Sequence, residues 1–163
     1  MKKTTTSITR MMPCSVVLLS AGSGRRKDAM TATAMFVSEE LPLFVVSVAK
    51  THMTHQLIEE SGEFVLNVAS ASQVKLAKAL GATHGAKVDK FKKWGIATEA
   101  GKSVDAPLIA GSYANIECKV VTSFPAGTYT IYLAQAVDFK TDPKLTPLAW
   151  SGNRYFALRD EMR

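Results

Sequence analysis

Hydrophobic and polar positions change rhythm along this chain. Ser15 to Ala21 is almost continuously apolar, and Gly22 to Lys27 is polar and glycine-bearing. From Ala29 to Val37, Thr31, Thr33 and Met35 alternate with Ala32, Ala34 and Phe36. Together these predict two strands joined by a turn. Leu43 to Val48 is apolar at nearly every position, which predicts a central strand buried on both faces. A helical stripe follows at Leu57 and Ile58, joined by Met53, with Thr51 or Thr54 as its cap and Gly62 as its stop. Glu63 to Val68 reads as a strand. Ser72 is expected to cap a second helix that runs through Val74, Leu76, Ala77 and Leu80 to Gly81. Asp89 to Trp94 predicts a short third helix ending at Gly95.

The last third returns to period two. Between Tyr113 and Val121, Ala114, Ile116, Cys118 and Val120 face one way and Asn115, Glu117 and Lys119 the other. Pro125-Ala126-Gly127 predicts a turn. Tyr129 to Phe139 predicts a long strand with Ile131, Leu133, Val137 and Phe139 on one face, and Tyr155 to Leu158 a strand closing the sheet. Strands joined mostly by hairpin turns, with the helices clustered mid-chain, do not fit regular βαβ winding. Six or more antiparallel strands instead predict a mainly β domain, a closed or half-closed barrel with few exposed edges. There is no internal repeat and no linker, so residues 1–163 read as one domain.

Composition narrows the class. With 47% apolar and 21% charged residues, disorder, collagen and low-complexity readings are excluded. Cys14 and Cys118 make neither a disulfide framework nor a zinc motif, which suits a reducing cytosol. The net charge of +6 is dispersed, and its tightest cluster, Arg25-Arg26-Lys27, reads as a solvated hairpin tip. Without a nucleic-acid motif around it, no nucleic-acid partner is expected. Ser15 to Ser20 is too short to span a bilayer. Lys2 and Lys3 precede it, but intervening Ser/Thr residues and Pro13 argue against an export signal, so no membrane partner and a cytoplasmic location are expected.

Candidate chemistry concentrates at Ser47-Val48-Ala49-Lys50-Thr51-His52-Met53-Thr54-His55, where a buried strand meets a helix. Unpaired N–H groups and the helix dipole favour an anion there. Ser47, Thr51 and Thr54 add hydroxyls and Lys50 a positive charge. The same residues also read as ordinary capping threonines and a solvated lysine. Ala21-Gly22-Ser23-Gly24-Arg25-Arg26 has Lys27 where a dinucleotide loop needs its third glycine, and strand rather than helix follows. His52 and His55 lie one turn apart but lack an evident third ligand, so no metal site is assigned. No nucleophile elbow is found, so no catalytic side chain is assigned; any chemistry falls to a cofactor.

Four segments resemble the flavin reductase-like, flavoredoxin-type proteins of the FMN-binding split β-barrel class. They are Met30-Thr31-Ala32-Thr33-Ala34-Met35-Phe36 with Pro42 after it; Lys50-Thr51-His52-Met53-Thr54-His55-Gln56-Leu57-Ile58; Ser61-Gly62-Glu63-Phe64-Val65-Leu66-Asn67; and His84-Gly85-Ala86-Lys87-Val88-Asp89-Lys90-Phe91. Ala106-Pro107-Leu108-Ile109 and Glu117-Cys118-Lys119-Val120 add to it, and the similarity runs from Pro13 to Leu158. It implies an antiparallel Greek-key split β-barrel with a few short helices, and a homodimer holding FMN near the subunit interface. On that resemblance Thr31, Ala32, Thr33, Ala34 and Met35 line the isoalloxazine, with backbone groups of Ala32 to Ala34 on its polar edge. Ser47, Val48, Lys50, His52 and Thr54 form the phosphate site. Asp89, Lys90 and Phe91 come from a loop beside the flavin, and Tyr155 and Phe156 pack at the cofactor or the dimer contact.

Two departures stand out. Met35 replaces a frequent Trp or Phe, though its sulfur still packs on a ring. His52 replaces a frequent Arg, which implies weaker or more pH-sensitive FMN binding. The family's chemistry passes hydride from NADH or NADPH to flavin N5, which requires oriented rings and stabilised charge at N1/O2, from backbone N–H groups or Lys90. An oxygenase or other redox protein would take up the product. The rival readings are an FMN-binding electron carrier that does not use nicotinamide, and a split-barrel relative holding haem or a deazaflavin.

Overall fold

The structure is a computed structural model that describes residues 8–83 and 88–162. His84 to Lys87, part of one segment quoted above, lie outside the described residues. In chain order the strands and helices are β1 (Cys14–Ser15), β2 (Val17–Ser23), β3 (Arg26–Ala32), β4 (Ala34–Ser38), β5 (Leu43–Ala49), α1 (Met53–Ser61), β6 (Glu63–Val68), α2 (Val74–Ala82), α3 (Lys90–Lys93), β7 (Thr98–Glu99) and β8 (Leu108–Ile109). They continue with β9 (Ala114–Ala126), β10 (Tyr129–Thr141), β11 (Leu148–Ser151) and β12 (Arg154–Ala157). The fold is mainly β with a few short helices, and every strand pairing is antiparallel.

Seven strands form the main sheet in the order β3-β2-β6-β9-β10-β5-β4. No ladder joins β3 to β4 among the described residues, so the sheet stays open at those two edges. The strand expected from Ala29 to Val37 is therefore two strands. β3 pairs β2 and β4 pairs β5 at opposite ends of the sheet, and the chain breaks at Thr33 to reach both. Ser15 bridges the gap: its hydroxyl donates to the Ala34 carbonyl at 2.7 Å.

The strand buried on both faces is β2, not β5. Val17 and Leu19 enter one core with Phe64, Leu66, Leu57, Ile58 and Tyr132, while Leu18 enters a second with Ala29, Leu80, Phe91 and Ile109. Helix α1 packs over one side and α2 over the other, which is why successive β2 residues are both buried. Each such leucine contributes about 1.5–3 kcal/mol on burial. β5 buries Val46 and Val48 but leaves Ser47 exposed, because no second layer covers its outer face.

Other expectations are corrected at the level of caps and faces. His52, not a threonine, is the residue before α1, and no side chain caps the helix; Gly62 ends it in the left-handed conformation (φ 69°). The stretch leading into α2 is started by a Ser70/Gln73 capping box rather than by Ser72. On β10 the buried side is Thr130, Tyr132 and Ala134, while Val137 and Phe139 are exposed; irregularities after Leu133 and Ala136 shift the register. On β9 the strand runs through Pro125 to Ala126, and Asn115 and Glu117 are buried. Glu117 accepts from the backbone N–H groups of Lys102, Ser103 and Val104 at 2.7–3.1 Å, which satisfies its charge. β12 does not close the main sheet; it pairs β11 in a separate sheet, β1-β11-β12.

Candidate functional site

Strand β3 organises the site because its side chains tie three helices to one ribbon. Asp28 Oδ2 accepts the Thr54 hydroxyl of α1 at 2.7 Å. Lys90 Nζ of α3 lies 2.9 Å from Asp28 Oδ1 and also donates to the Ala29 carbonyl at 2.8 Å. Met30 Sδ lies 3.3 Å from His52 Nδ1, and the Thr31 hydroxyl donates to the Ala77 carbonyl of α2 at 2.6 Å. Lys27 Nζ sits 4.5 Å above the Phe91 ring.

The corner from β5 to α1 is held by backbone. Lys50 N–H donates to the Thr128 carbonyl and His52 N–H to the Ala49 carbonyl, both at 3.0 Å. The Lys50 ammonium donates to the Gly127 carbonyl at 3.0 Å and stays exposed. No side chain caps α1; the His55 and Gln56 N–H groups donate to the His52 carbonyl at 3.1 and 3.4 Å, and the helix dipole adds positive potential at this end.

Beside this corner lies an open groove of about 630 Å3 whose walls include Thr33, Ala34, Met35, Phe44, Val46 and Ser47. A smaller open cavity of about 170 Å3 is lined by Thr31, Ala32 and Thr33 together with Ser15, Trp150 and Tyr155. The structure thus brings Thr33, Ala34 and Met35 together with Ser47 in the groove, leaves Thr31 and Ala32 to the smaller cavity, fastens Lys50 to Gly127 and Thr128 and sets His52 against Met30 of β3. Val48 is fully buried, so only its backbone belongs to the corner.

Other expected residues lie differently. Thr54 and Lys90 turn their polar ends inward to Asp28; Thr54 is 0%, Asp28 3% and Lys90 5% exposed. The Lys90 ammonium therefore does not face the groove, because its hydrogen bonds are made to Asp28 and Ala29. Phe91 is buried in the second core, while Asp89 is exposed and caps α3 by accepting from Lys92 N–H at 3.0 Å. Phe156 lines neither the groove nor the smaller cavity; Arg154 lies over its ring at 5.8 Å.

Trp150 and Ser15 were not anticipated. A signal for β11 and β12 was present: Gly152-Asn153 between Leu148–Ser151 and Arg154–Ala157 is a two-residue hairpin turn, and both residues have positive φ (57° and 65°). Burial pushes the Tyr155 phenol up from its ordinary value, so it stays protonated in the smaller cavity. Among the described residues no three His, Cys, Asp or Glu side chains converge as a metal site. The groove offers apolar walls and lies next to the β5–α1 corner through Ser47, which suits binding and orienting a ring compound that carries an anionic group.

Comparison with known proteins places the chain in a family. A family model described as the flavin reductase like domain matches residues 9–159. The chain is 31% identical over 148 residues to an NADH-dependent FAD reductase of Streptomyces globisporus, spanning 88% of this chain and 78% of that protein. It is 30% identical over 139 residues to an NADH:riboflavin 5'-phosphate oxidoreductase of Streptomyces pristinaespiralis, spanning 85% and 76%. In three dimensions it is similar to the flavoredoxin of Desulfovibrio vulgaris (Miyazaki F), with a TM-score of 0.88 over 100% of this chain and 96% of that one; at 24% identity the likeness is one of fold. The chain belongs to the flavin reductase-like domain family of oxidoreductases.

Proposed function

We propose that this protein binds FMN, with its phosphate at the β5–α1 corner and its rings along Thr31 to Met35, and reduces it with NADH or NADPH. The observation that carries this reading is the start of α1, which no side chain caps, preceded in the chain by Lys50 with its exposed ammonium and tied to β3 through His52. An isoalloxazine has two apolar faces and one polar edge. The groove supplies apolar walls, and Thr33 lies outside both flanking ladders at the sheet edge, so backbone groups there are free of strand pairing. The residues present therefore fit the group.

In this reading Ser47, the Val48 backbone, Lys50 and His52 hold the phosphate, and Thr54 and Lys90 act through Asp28. Backbone N–H groups from Ala32 to Ala34 take the negative charge at the ring's polar edge, and Met35 covers a face. Asp89 borders the ring from the start of α3, which Phe91 seats in the core. When bound, the flavin supplies the hydride acceptor at N5. The chain's own part is orientation and charge stabilisation, which needs no acid or base side chain. FMN is preferred over FAD because the site has one cationic corner, matching one terminal phosphate.

We further propose a cytoplasmic homodimer that delivers reduced flavin to a separate oxygenase or redox partner. Met35, Phe36 and Val37 on edge strand β4 are each more than half exposed, an apolar row suited to a second copy. Phe156 on β12 meets the cofactor or that copy. The barrel reading stays with this proposal: the open β3 and β4 edges are the split of a Greek-key split barrel.

The test is to denature the purified protein, identify the released flavin, and follow NADH and NADPH oxidation with added FMN or FAD. FMN release and turnover with a nicotinamide are expected. Bound flavin without turnover would make the protein an electron carrier, and no flavin binding at all would overturn the reading.

A further inference from the structure

We propose that Asp28 is a positioning residue of the flavin site, acting through Thr54 with Lys90 as its buried counter-ion. The inference rests on the flavin reading above. A buried carboxylate is costly unless paired and hydrogen-bonded. Asp28, 3% exposed, receives the Thr54 hydroxyl at 2.7 Å and the Lys90 ammonium at 2.9 Å. Those partners come from the first turn of α1 and from α3, so one side chain sets where both helices meet β3.

The location matters more than the pairing. Asp28 precedes Thr31 to Met35 on the ribbon that carries the ring, and Thr54 belongs to the turn whose N–H groups face the phosphate. Side-chain links across the distance between the ring-bearing strand and the phosphate corner include Asp28 to Thr54 and Met30 to His52. The second is a thioether contact, weak and tolerant of angle. The first is a short bond to a carboxylate in a site closed to water, and it holds α1 at one spacing and one rotation. Lys90 also donates to the Ala29 carbonyl, so the ammonium fixes the carboxylate relative to its own strand. Neither Asp28 nor Thr54 presents its polar end to the groove, so neither touches a bound flavin with it. Their effect on binding passes through the backbone they hold.

The test compares variants that bury no lone charge. Asp28→Leu with Lys90→Met replaces the ion pair by apolar side chains and leaves the Thr54 hydroxyl without its acceptor. Asp28→Asn with Lys90→Met also removes both charges but keeps a side-chain oxygen for Thr54. FMN affinity, titrated by flavin fluorescence, is expected to fall about tenfold in the first pair and to return to within about threefold of the parent in the second. Thr54→Val, which leaves the ion pair intact, is expected to show the same loss of about tenfold, and Thr54→Ser to restore it. This single substitution carries the test if the leucine–methionine pair does not fold. A merely structural role would move melting temperatures without this dependence of affinity on the hydrogen bond. Equal FMN affinity in all folded variants, or no rescue by asparagine and serine, would overturn the proposal while leaving the flavin reading in place. A parent protein that binds neither FMN nor FAD would overturn the flavin reading itself, and this inference with it.

Discussion

Replacing Lys50 by Met tests the phosphate corner most directly. The ammonium is exposed and anchored at 3.0 Å on the Gly127 carbonyl, beside a helix start that has no side-chain cap. Two unit charges about 4 Å apart interact by about 1 kcal/mol in water and about 4 kcal/mol at the effective dielectric of a protein surface. The exposure of Lys50 places it near the lower bound, and the roughly −1.5 to −2 charge of a phosphate monoester raises the figure again. A net loss of about 1–2 kcal/mol follows, so the FMN dissociation constant should rise about 5–30-fold in Lys50→Met. Riboflavin, which lacks the phosphate, should bind parent and variant within about twofold of each other. High salt should narrow the FMN difference, since exposed charges are screened. Thermal stability should barely change, because the side chain lies outside the core. The assay is paired fluorescence titration of FMN and riboflavin at low and high ionic strength. Equal losses for both ligands, or no loss for FMN, would refute the assignment of Lys50 to a phosphate.

Three further outcomes follow from other parts of the chain. His52→Arg supplies a fixed charge and a forked donor at the corner, so FMN affinity should rise about threefold to tenfold in the same titration. Glu117→Gln puts an amide against three backbone N–H groups; it should cost about 2–3 kcal/mol and lower the melting temperature by about 5–10 °C. Calorimetry showing an unchanged midpoint would contradict the role given to that carboxylate. Burial, with a smaller contribution from the nearby Glu117 charge, pushes the Cys118 thiol from its ordinary 9.0 up to about 12. Above pH 9 the unfolded chain therefore loses a proton that the folded chain keeps, so this thiol lowers stability progressively between pH 9 and 12. Native alkylation near pH 8 should label half-buried Cys14 and spare Cys118, read by peptide mass.

Several features were legible without coordinates because they depend on near neighbours in the chain. The periodicity of Glu63 to Val68, the stop at Gly62 and the short helix between Asp89 and Trp94 match β6, α1 and α3 closely. The positive strand-to-helix corner was legible for the same reason, since a strand running into a helix puts the helix N-terminus close in the chain to Lys50 whatever the rest of the fold does. The segment Thr31 to Met35 was singled out by resemblance, and its break at Thr33 did not show: alternation is preserved across a residue where the ladder changes partner.

Partner identity was settled only by the tertiary structure. On the resemblance Lys90 reads as a ligand-facing cation, yet it is buried because Asp28, 62 residues away, supplies its counter-charge. Glu117 reads as a surface position on an alternating strand, and is buried because the 102–104 backbone wraps its carboxylate. Which of two equally apolar strands is covered on both faces, β2 or β5, depends on where α1 and α2 pack. Local pattern determines the element and its two faces; what lies against each face is decided by segments far away in the chain, through burial and electrostatics that no short window contains.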